Sequence, residues 1–65
     1  MEDFLKRLKE ERDELLDKTE KLNSFLSSDK TLELSKGNLL LLETQSAIMG
    51  DYLNVLTIRI ELLSK

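Results

Sequence analysis

A chain of 65 residues is one domain at most, and a core this small supplies only a few kcal/mol by itself, so some further stabilising device is required. The absence of Cys and His excludes disulfides and the usual structural zinc sites. A net charge of -3, with 13 acidic against 10 basic residues, argues against DNA or RNA as the main partner. What remains is helix packing and self-association. No run approaches the roughly 18 apolar residues of a membrane span. The acidic start Met1-Glu2-Asp3 is also unlike the basic start of a secretory signal. A soluble cytoplasmic protein with no membrane partner is expected.

No Pro, two Gly and 35% charged residues of mixed sign describe long solvated helices. Along the first half, Phe4, Leu8, Leu15, Leu22 and Phe25 recur at helical spacings, and Leu5, Leu16 and Leu26 widen the stripe. Glu2/Lys6, Asp3/Arg7, Glu14/Lys18 and Asp17/Lys21 stand one helical turn apart with the acid first, the favourable order. A first helix over about 3–27 follows. The segment Ser27-Ser28-Asp29-Lys30-Thr31 then breaks the pattern with side chains that compete for backbone hydrogen bonds. A linker over about 28–35 is predicted, with a short helical turn and with Leu32 and Leu34 folded back as a lid.

Ser35 reads as the N-cap of a second helix over about 36–64, with Leu34 placed to staple against Leu39. At 1.5 Å per residue both helices are roughly 35 to 45 Å long, and the short linker folds them antiparallel. Matching their ends sets Phe25 near Leu41, Lys18 near Gln45, Glu11 near Tyr52 and Phe4 near Arg59, to within about one turn. The fold class is therefore all-α: an antiparallel hairpin of two long amphipathic helices that assembles into an oligomeric bundle.

Arranged in sevens, the second helix shows apolar rows Leu42-Met49-Leu56-Leu63, Leu39-Ser46-Leu53-Ile60 and Leu41-Ile48-Val55-Leu62. Among them runs Asn38-Gln45-Tyr52-Arg59, polar throughout. An apolar arc of roughly 160° exceeds the roughly 100° needed for one partner. The helix should therefore contact both the first helix and another protomer, with Leu41, Ile48, Met49, Val55, Leu56 and Leu62 as interface candidates. The polar row is expected in a buried or half-buried seam, where each amide, hydroxyl and guanidinium needs a partner.

The first helix faces that seam with Phe4, Glu11, Lys18 and Phe25, read as its inward row. One explanation is structural: Glu11 with Arg59, or Lys18 with Gln45, pair to define register, as polar seam residues do in coiled coils. The other is a pocket for a small anionic ligand lined by Lys18, Lys21, Gln45, Tyr52 and Arg59. Arg offers bidentate phosphate contacts, Lys a point charge, Tyr a stacking face and Gln a donor–acceptor pair for a base edge. That set suits a nucleotide. Met49 reads as core filler, and Glu10, Glu11 and Glu14 as a solvated helix face. Without His, Cys or a Gly-rich turn, no enzyme, metal site or cofactor is expected.

The run Lys21-Leu22-Asn23-Ser24-Phe25-Leu26 and the spaced set Gln45, Met49, Tyr52, Leu56, Arg59 and Ile60 resemble a family of small tailed-phage proteins named after a crAss-like phage reading frame. The resemblance spans nearly the whole chain. It implies a phage accessory protein of the host bacterial cytosol, of a kind that includes oligomeric sponges for the cyclic dinucleotide or cyclic ADP-ribose signals of bacterial immunity. By that analogy the polar row would read the ligand. Two alternatives stay open: a helical adaptor or inhibitor that engages another protein through its apolar stripe, and a structural coiled-coil oligomer with no small ligand.

Overall fold

The computed structural model describes residues 2–65. Helix α1 spans Glu2–Leu26, a single 3-10 helix follows at Asp29–Glu33, and helix α2 spans Lys36–Leu63. The two long helices pack side by side as an antiparallel hairpin measuring 46 × 14 × 13 Å. None of the described helices is long and apolar enough to cross a membrane.

Hydroxyl side chains make the turn. The Ser28 hydroxyl donates to the Phe25 carbonyl at 2.7 Å and accepts from the Lys30 N–H at 3.3 Å. Thr31 Oγ1 donates to the Ser28 carbonyl at 3.0 Å. These bonds end α1 and start the 3-10 helix with local groups alone, the competition with helix that such residues are known for. Ser35 adopts extended backbone and its Oγ accepts the Asn38 N–H at 3.2 Å, capping α2. One expectation fails here: Leu32 is 83% exposed and forms no lid. The 3-10 helix, pinned at Ser28 and Thr31, turns Leu32 to solvent, and only Leu34 is half-buried.

The buried apolar core is small among the described residues: Leu8, Leu56 and Ile60, with Leu5, Leu15 and Leu63 packed around them. Thr19 is also buried, and its hydroxyl donates to the Leu15 carbonyl at 2.7 Å, which removes the penalty for burying it. The inward row of α1 is therefore Leu8, Leu15 and Thr19, flanked by Leu22. Phe4, Glu11 and Lys18 are exposed and Phe25 half-buried, so the row read as inward lies on the rim. Seven-residue rows on one helix sit about 50° apart, and the direction of packing selects between neighbours. Of the charge pairs, Asp17–Lys21 closes at 2.9 Å, and Arg12–Asp13 adds a contact at 3.1 Å. Asp17, Lys21 and Asp13 are exposed and Arg12 half-buried, so both pairs contribute little.

Leu56 has no exposed surface. Leu56→Ala should cost about 2–5 kcal/mol, most of what a hairpin this size possesses. Leu32→Ala should change stability by less than about 0.5 kcal/mol. Urea unfolding followed by circular dichroism measures both.

Candidate functional site

Along one edge of the hairpin the rim of α1 meets the polar row of α2. Tyr52 donates its phenolic O–H to Glu11 Oε2. One heptad away, the Arg59 guanidinium carbon lies 5.9 Å from the centroid of the Phe4 ring, within cation–π range. Phe4 with Arg59 and Glu11 with Tyr52 are the pairs expected from matching helix ends, so the seven-residue rows of the two helices run in step. Extended one more heptad, the same step brings Lys18 level with Gln45. On the opposite flank Ser46 Oγ donates to Asn23 Oδ1, a second inter-helix bond.

The polar row is not buried. Gln45, Tyr52 and Arg59 are all exposed in the single hairpin, because α2 turns Leu56 and Ile60 toward α1 and leaves this row at the edge of the contact. Gln45 makes only a weak contact with a neighbour on its own helix, Nε2 to Met49 Sδ at 3.8 Å. Lys18 is exposed on the same edge. Lys21 does not join them. It pairs with Asp17 on its own helix, which raises its pKa through the hydrogen bond and the charge. It lines a separate shallow depression near the turn with Ser24, Phe25, Ser28 and Lys30. Lys21 is one turn from Lys18 plus a further step away from the rim, so sequence proximity misleads.

The interface candidates also divide. Leu41, Ile48, Val55 and Leu62 are each at least half exposed, whereas Leu56 belongs wholly to the core of the single hairpin and Met49 is half-buried. Leu56 is thus removed from any surface. Two residues absent from the sequence-based ligand set join the site: Glu11, which orients Tyr52, and Phe4, which with Arg59, Leu62 and Leu63 lines a shallow groove at the open end of the hairpin. Their signal was the end-matched register, since each falls opposite a polar-row residue.

The pKa of Tyr52 is raised above 10.0, first by its hydrogen bond to Glu11, then by desolvation and the Glu11 charge, with Arg59 opposing. A pKa raised on folding stabilises the fold below the unfolded value, and that contribution is lost as pH rises through the folded pKa. Tyr52 is the only Tyr and there is no Trp, so its ultraviolet absorbance titrates one group. The midpoint should lie above 10.0 and fall toward that value in Glu11→Gln.

Among the described residues no group of three or more Asp and Glu side chains is placed to hold a metal ion. The site offers a phenol, a guanidinium, an amide and an ammonium to solvent, beside a carboxylate already engaged by Tyr52. Groups of these kinds can pair with an anion and stack on a planar ring.

No curated protein matches the chain significantly, and no solved structure does. The Sequestin family profile matches residues 2–62, a span that takes in both helices, the turn, and every residue of the Tyr52–Arg59 edge. The chain belongs to the Sequestin family, whose name denotes a sequestering role.

Proposed function

We propose that this protein binds and sequesters a small anionic nucleotide-type signal, of the cyclic ADP-ribose or cyclic dinucleotide class, as a phage-encoded product that counters host immune signalling in the bacterial cytoplasm. The observation that carries the reading is the Tyr52–Arg59 pair, held by Glu11 and Phe4 on the open edge of a hairpin whose family name denotes sequestration. A nucleotide needs a flat face for its base and cations for its phosphates. Tyr52 supplies the face, with its ring set by the hydrogen bond to Glu11. Arg59 supplies a planar fork for phosphate oxygens, and Gln45 a donor and an acceptor for a base edge. Lys18 adds charge to the same edge. Lys21, committed to Asp17 on another face, has no part in this site.

Sequestration requires binding alone. The ligand is held and released unchanged, which suits a chain that carries no His and no Cys. Affinity then comes from stacking and charge-assisted hydrogen bonds. Each phosphate contact of that kind contributes about 1.5–3 kcal/mol, and a stacked base about 1–3 kcal/mol.

The test is calorimetric titration with ADP-ribose, cyclic ADP-ribose and cyclic dinucleotides, with recovery of the ligand after denaturation. The wild type should bind one of these and return it intact. Arg59→Ala and Tyr52→Ala should each weaken binding about 10-fold to 100-fold while helicity is retained. No binding by the wild type, or full affinity in both variants, would overturn the reading.

A further inference from the structure

Helix α2 carries an apolar arc of roughly 160° and few charges. Its charged residues are Lys36, Glu43, Asp51, Arg59 and Glu61, whereas α1 alternates acids and bases throughout. An arc that wide exceeds what one partner helix covers, and here Leu41, Ile48, Val55 and Leu62 form an exposed row spaced every seven residues. The area agrees. The hairpin exposes 5202 Å², against about 4200 Å² for a folded monomer of its 7.5 kDa. The excess of about 1000 Å² is close to the roughly 800 Å² per partner that a standard interface covers.

The row is self-complementary. Turned end for end, Leu41 comes level with Leu62 and Ile48 with Val55, so a two-fold axis at the middle of the row pairs every member with another apolar residue. On α2 the core direction through Leu56 and Ile60 lies about 110° from this row, and Gln45, Tyr52 and Arg59 lie between the two. Packing the rows of two copies would therefore set both α1 helices on the same side. The two polar rows would face one shared cleft, running in opposite directions.

That arrangement remedies a defect of the single hairpin. Lys18 is level with Gln45, and Gln45 is fourteen residues from Arg59, about 21 Å along the axis. One hairpin cannot bring both cations to one phosphate group. In the antiparallel pair, Arg59 of each copy comes level with Gln45 and Lys18 of the other. We infer that a second copy of this chain docks two-fold and antiparallel on the Leu41–Ile48–Val55–Leu62 row, and that each anion site is completed by Arg59 of one copy and Lys18 of the other. The ligand identity rests on the nucleotide reading above; the pairing does not. Each site gathers two cations that repel one another when empty, so an anion is the partner it accepts best.

The chain has no Cys, so engineered thiols report the pairing directly. Wild type should sediment at about 15 kDa, twice the 7.5 kDa chain. Oxidised Ile48→Cys/Val55→Cys should form a covalent dimer, because residues seven apart on one helix are about 10 Å apart, too far for a disulfide within one chain. Leu41→Cys/Ile48→Cys and Ile48→Cys alone should not cross-link. Ile48→Glu should give a 7.5 kDa species or an unfolded one, and the thiol variants decide if it unfolds. A monomeric wild type, or cross-linking through Ile48→Cys alone as in a parallel pair, overturns the inference.

Sharing is tested by mixing. Lys18→Ala and Arg59→Ala homodimers should each bind ADP-ribose weakly. Exchanged into heterodimers they should recover about a quarter of the wild-type sites, because one site per heterodimer keeps both cations. No recovery, in a wild type that binds ADP-ribose, places the whole site in one chain and overturns sharing. The expected cross-links with no binding of ADP-ribose or cyclic dinucleotides by the wild type would retain the pairing and sink the nucleotide reading instead.

Discussion

Two helices in contact can hide only one stripe of each, and that constraint governs everything else about this molecule. The stripe hidden on α2 centres on Leu56 and Ile60, the one on α1 on Leu8. The consequence is a core of very few fully buried side chains and a second apolar face on α2 left open to solvent. Burial of apolar surface is worth about 25 cal/mol per Å², so the uncovered face is a large unrealised stabilisation. With no Cys, no His and no third long helix among the described residues, pairing with a second copy is the proposed way to realise it.

The polar edge takes its character from the same geometry. Gln45, Tyr52 and Arg59 stand between the face that meets α1 and the face that meets nothing within the chain. At such a boundary a polar side chain keeps access to water while apolar rows on both sides define where it points. Glu11 and Phe4 then restrain Tyr52 and Arg59 from across the seam. Contacts of this kind lower the ordering cost of a ligand site, because the ring and the guanidinium lose less freedom when a ligand arrives. Sequestration asks for little more: a preorganised surface, charge of the right sign, and no chemistry.

Under the proposed function, a net acidic protein would have to collect its anion locally. The net charge of -3 repels an anion at long range, but ordinary salt screens that field within about 8 Å. Cations converging on one phosphate at closer range can therefore prevail. Convergence is the scarce quantity in a straight hairpin, since cations on one row are separated by whole heptads. Reversing a second row beside the first brings together residues that the helix itself holds apart.

Much of the local structure was legible in the sequence. The ends of α1 and α2, the Ser35 cap and the step of Glu11 with Tyr52 and Phe4 with Arg59 follow from short-range chemistry: side-chain competition for backbone groups, helical periodicity and the length of the turn. Which row is buried could not be read that way. Periodicity placed Leu56 at an interface, the row Phe4–Glu11–Lys18–Phe25 inside and Leu32 in a lid, whereas the structure puts Leu56 in the core, that row on the rim and Leu32 in solvent. Neighbouring rows differ by only about 50° around the helix, and the choice between them is made by how two helices lie against each other, a relation that periodicity within one helix does not contain. The Asp17–Lys21 pair is local to α1 and was legible in the sequence, whereas only the tertiary structure left Gln45, Tyr52 and Arg59 open to solvent.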